Sequence, residues 1–305
     1  MTAKRARPRI TVVGGANTDV VGLPDVRFIP RDSNPGHVRV SSGGVARNIA
    51  ENLARLDADV RLVTAFGSDT EGRALDRECR RFGIDTRFSV VAEGVPGSRY
   101  LAVLDSAGDL AAAVNDMRAL AVLTPDALDP EAFAGASVVV LDTNVHASTI
   151  VRAAELAGDA LLVLDPVSTA KAPLARPILG RLAALKANLR EAEELSGAAG
   201  AAGAASRLLE TGAGWVFVTM GPDGVWCASP NEAFALPAPS ATVINVTGAG
   251  DAFTAGVAWG LAVGAGLRET AEAASLLSAL ALESERTVSE CIGDAMLTRP
   301  EEGLG

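Results

Sequence analysis

Asn245-Val246-Thr247-Gly248-Ala249-Gly250-Asp251-Ala252-Phe253 lies between a strand-like 242–244 and a long helical stretch, 250–263. Gly248, Ala249 and Gly250 carry little or no side chain. Their backbone N–H groups can therefore converge where the helix begins and form a ready-made anion site. An Asp at that point repels a bound phosphate. Its use there is as a base beside a hydroxyl that receives a phosphoryl group, with the developing charge held by backbone amides. The same residues also read as a tight turn with an Asp capping the helix, and local chemistry leaves both readings open. The loop is neither a P-loop, since G-x-x-x-x-G-K-[ST] is absent, nor a G-x-G-x-x-G dinucleotide fingerprint.

Working outward, strand and helix patterns alternate. A strand at 10–13 ends in Gly14-Gly15, and Gly43-Gly44 opens a helix over 45–56. A strand over 60–65, a loop over 67–72 and a helix over 73–82 follow. Later come strands at 138–141, 160–164 and 215–219 and helices at 149–157, 188–195, 199–210, 250–263 and 267–282. This order predicts an α/β fold with a mostly parallel sheet covered on both faces. Two strand-rich insertions, at about 17–40 and 94–116, break the alternation. The second holds a hairpin around Asp105-Ser-Ala-Gly-Asp109. Together they predict a small β-rich lid over the sheet's C-terminal edge, where open α/β sheets bind ligands.

The 305 residues suffice for a large buried core. A formal charge of −10, from 27 Lys and Arg against 37 Asp and Glu, argues against broad binding to nucleic acid or an anionic membrane. Three distant cysteines exclude a dense disulfide framework, and two histidines exclude a His-rich metal site. The basic start MTAKRARPRI lacks the apolar stretch and cleavage site of a signal peptide, and no run has membrane-spanning character. A cytoplasmic location is expected.

The segment 245–253 resembles the C-terminal signature of the ribokinase-like (PfkB) carbohydrate kinases. Residues 12–19, Ser41-Ser-Gly-Gly-Val-Ala-Arg-Asn48, Asn188-Leu-Arg-Glu191 and Val218-Thr-Met-Gly-Pro-Asp-Gly224 resemble the family's other marks, in the family's order. The resemblance implies a ribokinase-like three-layer sandwich, one kinase domain over 1–305, with ATP and Mg²⁺ as cofactors. It makes Asp251 the catalytic base and Gly248, Ala249 and Gly250 the anion hole. Asn188 and Glu191 fall on the Mg-ATP side, with Glu191 holding the metal directly or through water. Thr219, Gly221 and Gly224 become nucleotide contacts, and Asn17, Asp19, Gly43, Gly44 and Asn48 bind the acceptor. The family usually starts its C-terminal signature with Asp-Thr, and that Asp belongs to a monovalent-cation site. Asn245 and Val246 stand there instead, so potassium is expected to matter little.

Within the family, Tyr100-Leu-Ala-Val-Leu-Asp105, Gly108 to Met117, Asp165-Pro-Val-Ser-Thr-Ala-Lys171 and Asn245-Val-Thr resemble the pseudouridine kinase subgroup. That implies phosphorylation of a ribose 5′-hydroxyl, with Asn115, Asp116, Ser98 or Asn144 with His146 as candidates to read the base. Another sugar or nucleoside kinase of the family, an inactive nucleoside-binding relative and an oxidoreductase on an α/β fold are the alternatives. The expected partner is a small nucleoside or sugar, with no nucleic acid and no membrane. A homodimer through the lid edge is a further expectation.

Overall fold

The computed structural model describes residues 7–293. The basic start at 1–6 and the end of the expected domain, 294–305, lie outside the described residues.

In chain order the elements are β1 (Arg9–Val13), β2 (Asn17–Pro24), β3 (Gly36–Gly43), α1 (Val45–Arg55), β4 (Asp59–Val63), β5 (Ala65–Gly67), α2 (Thr70–Arg81) and β6 (Val90–Ala92). Then come β7 (Arg99–Leu104), β8 (Leu110–Asp116), β9 (Val138–Asp142), α3 (Ala147–Leu156), β10 (Leu161–Asp165), β11 (Leu182–Asn188), α4 (Leu189–Ser196) and α5 (Ala201–Glu210). β12 (Trp215–Thr219), β13 (Val225–Ala228), β14 (Ala233–Leu236), α6 (Ala249–Val263) and α7 (Leu267–Leu282) complete the chain.

The main sheet runs β14-β13-β12-β11-β10-β9-β1-β4 and is parallel except for β13 and β14. Its strands are short runs such as Val138-Val-Val-Leu-Asp142, buried throughout because helices cover both faces. On one face α1, α2, α6 and α7 bury Ile49, Leu53, Cys79, Val257 and Leu277. On the other, α3, α4 and α5 bury Ile150, Leu195 and Leu208. The result is a three-layer sandwich.

The two insertions make a separate four-stranded sheet in the order β3-β2-β7-β8. β2 pairs antiparallel with β3 and parallel with β7, joining two segments some 80 residues apart in sequence. The register is informative, because side chains of paired residues share a face. Asp19 pairs with Ser41 and with Tyr100, and Tyr100 with Asn115. Val20, Val40, Leu101 and Val114 therefore occupy the opposite face, where the last three are largely exposed.

Some elements differ from expectation. Residues 242–244 form no strand. Pro237 and Pro239 interrupt ladder hydrogen bonding just upstream, and the segment instead crosses the end of α7, with Ile244 and Asn245 N–H both donating to the Leu282 carbonyl. The helix after Gly67 starts at Thr70, earlier than predicted, because Asp69 caps it by accepting from Gly72 N–H. β11 is a full central strand that the sequence reading passed over, because Leu-Ala-Ala-Leu-Lys-Ala-Asn lacks β-branched residues.

Helix α6 approaches α7 closely through small residues. A Cβ on Gly256 would lie 2.5 Å from the Ala274 Cα, where only backbone movement can make room. Gly256→Val should therefore lower the urea midpoint, at a cost of about 1–3 kcal/mol. An unchanged midpoint would mean that the two helices are not in contact at this point.

Candidate active site

The parallel strands all end at one edge of the sheet. That delivers Asp142 from β9, Asp165 from β10, Lys186 and Asn188 from β11 and Thr219 from β12 to a common region. The N-terminus of α6 meets them there. Its cap, Gly248, has φ of 90° and packs so tightly that a Cβ would lie 2.1 Å from the Thr287 carbonyl oxygen. Among the described residues no side chain caps the helix, so its first amides face the site without a side-chain partner there. Gly250 is constrained from the other side, since a Cβ there would lie 2.8 Å from Lys186 Nζ. Loop 248–250 thus has backbone amides above and a buried ammonium behind.

Asp251, in the first turn of α6, accepts a hydrogen bond from Asn48 Nδ2 at 2.8 Å. It is half-buried, directly after the loop residues Ala249 and Gly250. Burial, with the Asp165 and Asp142 carboxylates adding, pushes its pKa up to about 7 against the opposing pull of Asn48 and Lys186. A carboxyl poised there can take a proton near neutral pH. Lys186 Nζ donates to Asp165 Oδ2 at 3.1 Å, and Thr254 Oγ1 donates to the same oxygen at 2.8 Å, fastening α6 to the sheet. Burial pulls the Lys186 pKa down, but Asp165, Glu191 and Asp251 outweigh it and raise it.

On the side of the four-stranded sheet, Asn17 Nδ2 donates to Asp19 Oδ1 at 2.6 Å. Burial raises the Asp19 pKa, partly offset by Asn17 and Arg47. A Cβ on Gly43 would lie 2.1 Å from Asp19 Oδ2, so this glycine makes room for the carboxylate. Gly44, with φ of 99°, fits against the Gly15 carbonyl. Asp19, Arg47, Tyr100, Asn245 and Thr247 border a hollow of about 390 Å³. Asn115 shares the Asp19 and Tyr100 face, whereas Asp116 falls on the other, where Arg118 holds its carboxyl at about 2. Ser98 is buried, and among the described residues its hydroxyl has no hydrogen-bond partner. Asn144 accepts from Lys171 Nζ at 2.6 Å, and His146 lies exposed at the start of α3.

On the opposite side of the same loop, Thr219, Gly221, Gly224, Ala249, Gly250 and Phe253 border a cavity of about 580 Å³. Asn188 and Glu191 form a reciprocal cap on α4: Asn188 Oδ1 accepts from Glu191 N–H at 3.0 Å, and Glu191 Oε2 accepts from Asn188 N–H at 2.9 Å. Glu191 is buried, which raises its pKa against the pull of Lys186. Its Oε1 accepts no hydrogen bond among the described residues. No cluster of three or more His, Cys, Asp or Glu among the described residues could hold a metal alone. The donor set therefore fits a Mg²⁺ ion carried mainly by phosphates and water, with Glu191 as a single carboxylate beside it.

Sequence reasoning gave no role to Asp142, Asp165, Lys186 or Thr254. Asp142 is buried and accepts from Gly15 N and Ala46 N, both at 2.9 Å, and from Asn144 N at 2.7 Å. It pins the ends of β1 and β9 to the start of α1. The available signal was positional: each Asp closes an apolar run, and Lys186 interrupts one.

The raised Asp251 pKa makes a stability prediction. Its ordinary value is 3.8, so between that and about 7 the folded state holds more protons than the unfolded, and stability rises as pH falls. Above 7 the fold carries the full cost of an ionised carboxylate among carboxylates. Asp251→Asn should therefore melt at higher temperature than the parent at pH 8, with the gain shrinking as pH falls toward 4. A lower melting temperature at pH 8 would make the carboxylate a structural anchor instead.

Comparison with known proteins shows the family. The chain is 34% identical over 291 residues to pseudouridine kinase of Escherichia coli, covering 93% of both chains. It is also 34% identical over 281 residues to an uncharacterized sugar kinase of the same organism, covering 90% of this chain and 78% of that one. A putative sugar kinase structure from Clostridium perfringens superposes with a TM-score of 0.83 at 29% identity, over 96% of this chain and 95% of the other. Residues 7–292 match the pfkB family carbohydrate kinase profile, and the chain belongs to that family.

Proposed function

We propose that the protein transfers the γ-phosphoryl group of ATP to the ribose 5′-hydroxyl of pseudouridine, giving pseudouridine 5′-phosphate and ADP. The broader activity, ATP-dependent phosphoryl transfer to a sugar or nucleoside hydroxyl, is that of the family to which the chain belongs. One observation carries the reading: loop 245–250 divides two hollows, and Asp251 follows it directly. The larger hollow suits the nucleotide and the lid-side hollow the acceptor.

Asp251 takes the proton of the acceptor hydroxyl as its oxygen bonds to the γ-phosphorus and the bond to the β-phosphate oxygen breaks. The amides of Gly248, Ala249 and Gly250 hold the charge on the transferred group, with Lys186 behind them. Asn17, Asp19 and Asn48 bind ribose hydroxyls, and Thr219, Gly221 and Gly224 line the nucleotide side. Glu191 and Asn188 flank the metal, directly or through water. Mg²⁺, when bound, neutralises phosphate charge. The lid sheet closes over the acceptor and excludes water that would compete as phosphoryl acceptor. Two things support pseudouridine in particular: the 34% identity to a pseudouridine kinase over nearly the whole chain, and the shared face of Asp19, Tyr100 and Asn115, which offers sugar and base contacts together.

Under saturating Mg-ATP, kcat/KM should be highest for pseudouridine, followed by uridine, with adenosine, free ribose and fructose lower. Free ribose forfeits the base contacts and leaves polar groups unpaired, at about 1–3 kcal/mol each. Ribose or fructose equal to pseudouridine would end the acceptor reading and keep the kinase. Asp251→Asn should lose about 10²–10⁴ in turnover while still binding nucleotide. Near-parental turnover would remove Asp251 as base.

Chelation should abolish activity, since the phosphates need a divalent partner. Exchange of Na⁺ for K⁺ should change the rate little, because Asn245 supplies no charge and spends its Oδ1 on Thr247 N–H at 3.0 Å. A large saturable rise with K⁺ would show that backbone carbonyls alone bind the ion.

A further inference from the structure

Arg47 is an arginine almost without solvent contact, 2% exposed, in the first turn of α1. Its guanidinium is gripped by two carboxylates. Glu51, itself buried, forms an ion pair with it one turn on, and Glu78 from α2 lies 3.3 Å from Nη2. Glu51 is also held by Arg55 at 2.7 Å, and Glu78 by Ser42 Oγ from β3 at 2.6 Å. The remaining grip is on Asn48: Arg47 Nη1 donates to Asn48 Oδ1 at 3.0 Å, while Asn48 Nδ2 donates to Asp251 Oδ2 at 2.8 Å.

An asparagine amide has one accepting and one donating end, and a guanidinium only donates. With Arg47 on one side, a flipped amide would set N–H against N–H. The amide thus has one allowed orientation, and it aims N–H at Asp251. An ionised carboxylate can accept that bond from both lone-pair directions. A protonated carboxyl prefers an acceptor in the same place.

The geometry points to Arg47 as a positioning residue for the kinase reaction: it locks the polarity of the Asn48 amide, so that Asp251 is met by a donor and kept in its proton-accepting form. The role rests on Asp251 acting as base, and extends that reading one residue outward. The other charged groups facing Asp251 are Asp142 from β9, Asp165 from β10 and Lys186 from β11. None touches Arg47 in a hydrogen bond. The clamp on Arg47 reaches β3 of the second sheet through Glu78 and Ser42, so the lock is tied to both sheets.

The test is a double-mutant cycle read on Asp251 itself. The full-length parent, Arg47→Gln, Asn48→Ala and the double variant are titrated by carboxyl ¹³C NMR, and the acid limb of kcat/KM is followed with any accepted sugar or nucleoside. Arg47→Gln should move the Asp251 midpoint upward by about one pH unit, with KM for ATP unchanged. In the Asn48→Ala background the same change should move it no further. An unmoved midpoint, or an equal shift with and without Asn48, would overturn the proposal. Should Arg47→Gln fail to fold, Glu78→Ala loosens the same guanidinium from a partly exposed position and should shift the midpoint in the same direction. No shift there would overturn the proposal as well. A parent without kinase activity would defeat the functional reading alone, since the NMR midpoints need no turnover.

Discussion

A single buried ammonium, Lys186, stands among the carboxylates of Asp165, Glu191 and Asp251, and the rest of the site depends on it. An unpaired charge of either sign in that place would be prohibitively costly. Asp165 holds the ammonium directly, and Thr254 completes that carboxylate from α6. The bond fixes where α6 begins relative to β10 and β11. It also explains why position 250 has no side chain, because a Cβ there would meet the ammonium. The small-residue loop is therefore set from below by charge and from above by the need to leave amides free. Among the described residues Asp251 and Glu191 both lack a direct cationic partner, but Glu191 is tied into the cap of α4 while Asp251 is held only by the Asn48 amide.

The second sheet supplies what the main sheet cannot. Strand ends and a helix N-terminus offer charge and amides, which suit phosphate, but few groups able to distinguish one acceptor from another. Pairing β2 with β7 sets Asp19, Tyr100 and Asn115 in one row facing the same way. Asp116, one residue along, lands on the other face because side chains alternate, and Arg118 occupies it. Which side chains share that face is thus decided by register, and a one-residue slip would send them all to the other face.

Much of this was legible in the sequence. The α/β alternation follows from apolar runs and their punctuation, and 245–253 stands out as three small residues and an Asp, which read either as an anion site with a base or as a capped turn. The insertions were visible as breaks in the alternation. Other features were not. β11 carries alanines where a strand usually carries β-branched residues, so its place in the sheet is a tertiary outcome. Lys186, Asp165 and Asp142 stand in or at the end of apolar runs, which hints at burial, but no local window encodes that parallel strands bring their ends together. The Asn188–Glu191 pair illustrates another ambiguity: the two residues cap α4 reciprocally, a use that the same spacing serves as well as a metal-side pair, while Glu191 Oε1 accepts no hydrogen bond among the described residues.

The proposed role of Asp251 as base requires a carboxyl whose pKa is raised by burial and its neighbouring carboxylates. The most direct measurement is the pH dependence of kcat/KM for the parent enzyme with saturating Mg-ATP. A single acid limb with its midpoint near the value of about 7 given by the structure is the predicted result. Activity that persists undiminished well into the ordinary carboxylate range, near 4, would contradict it.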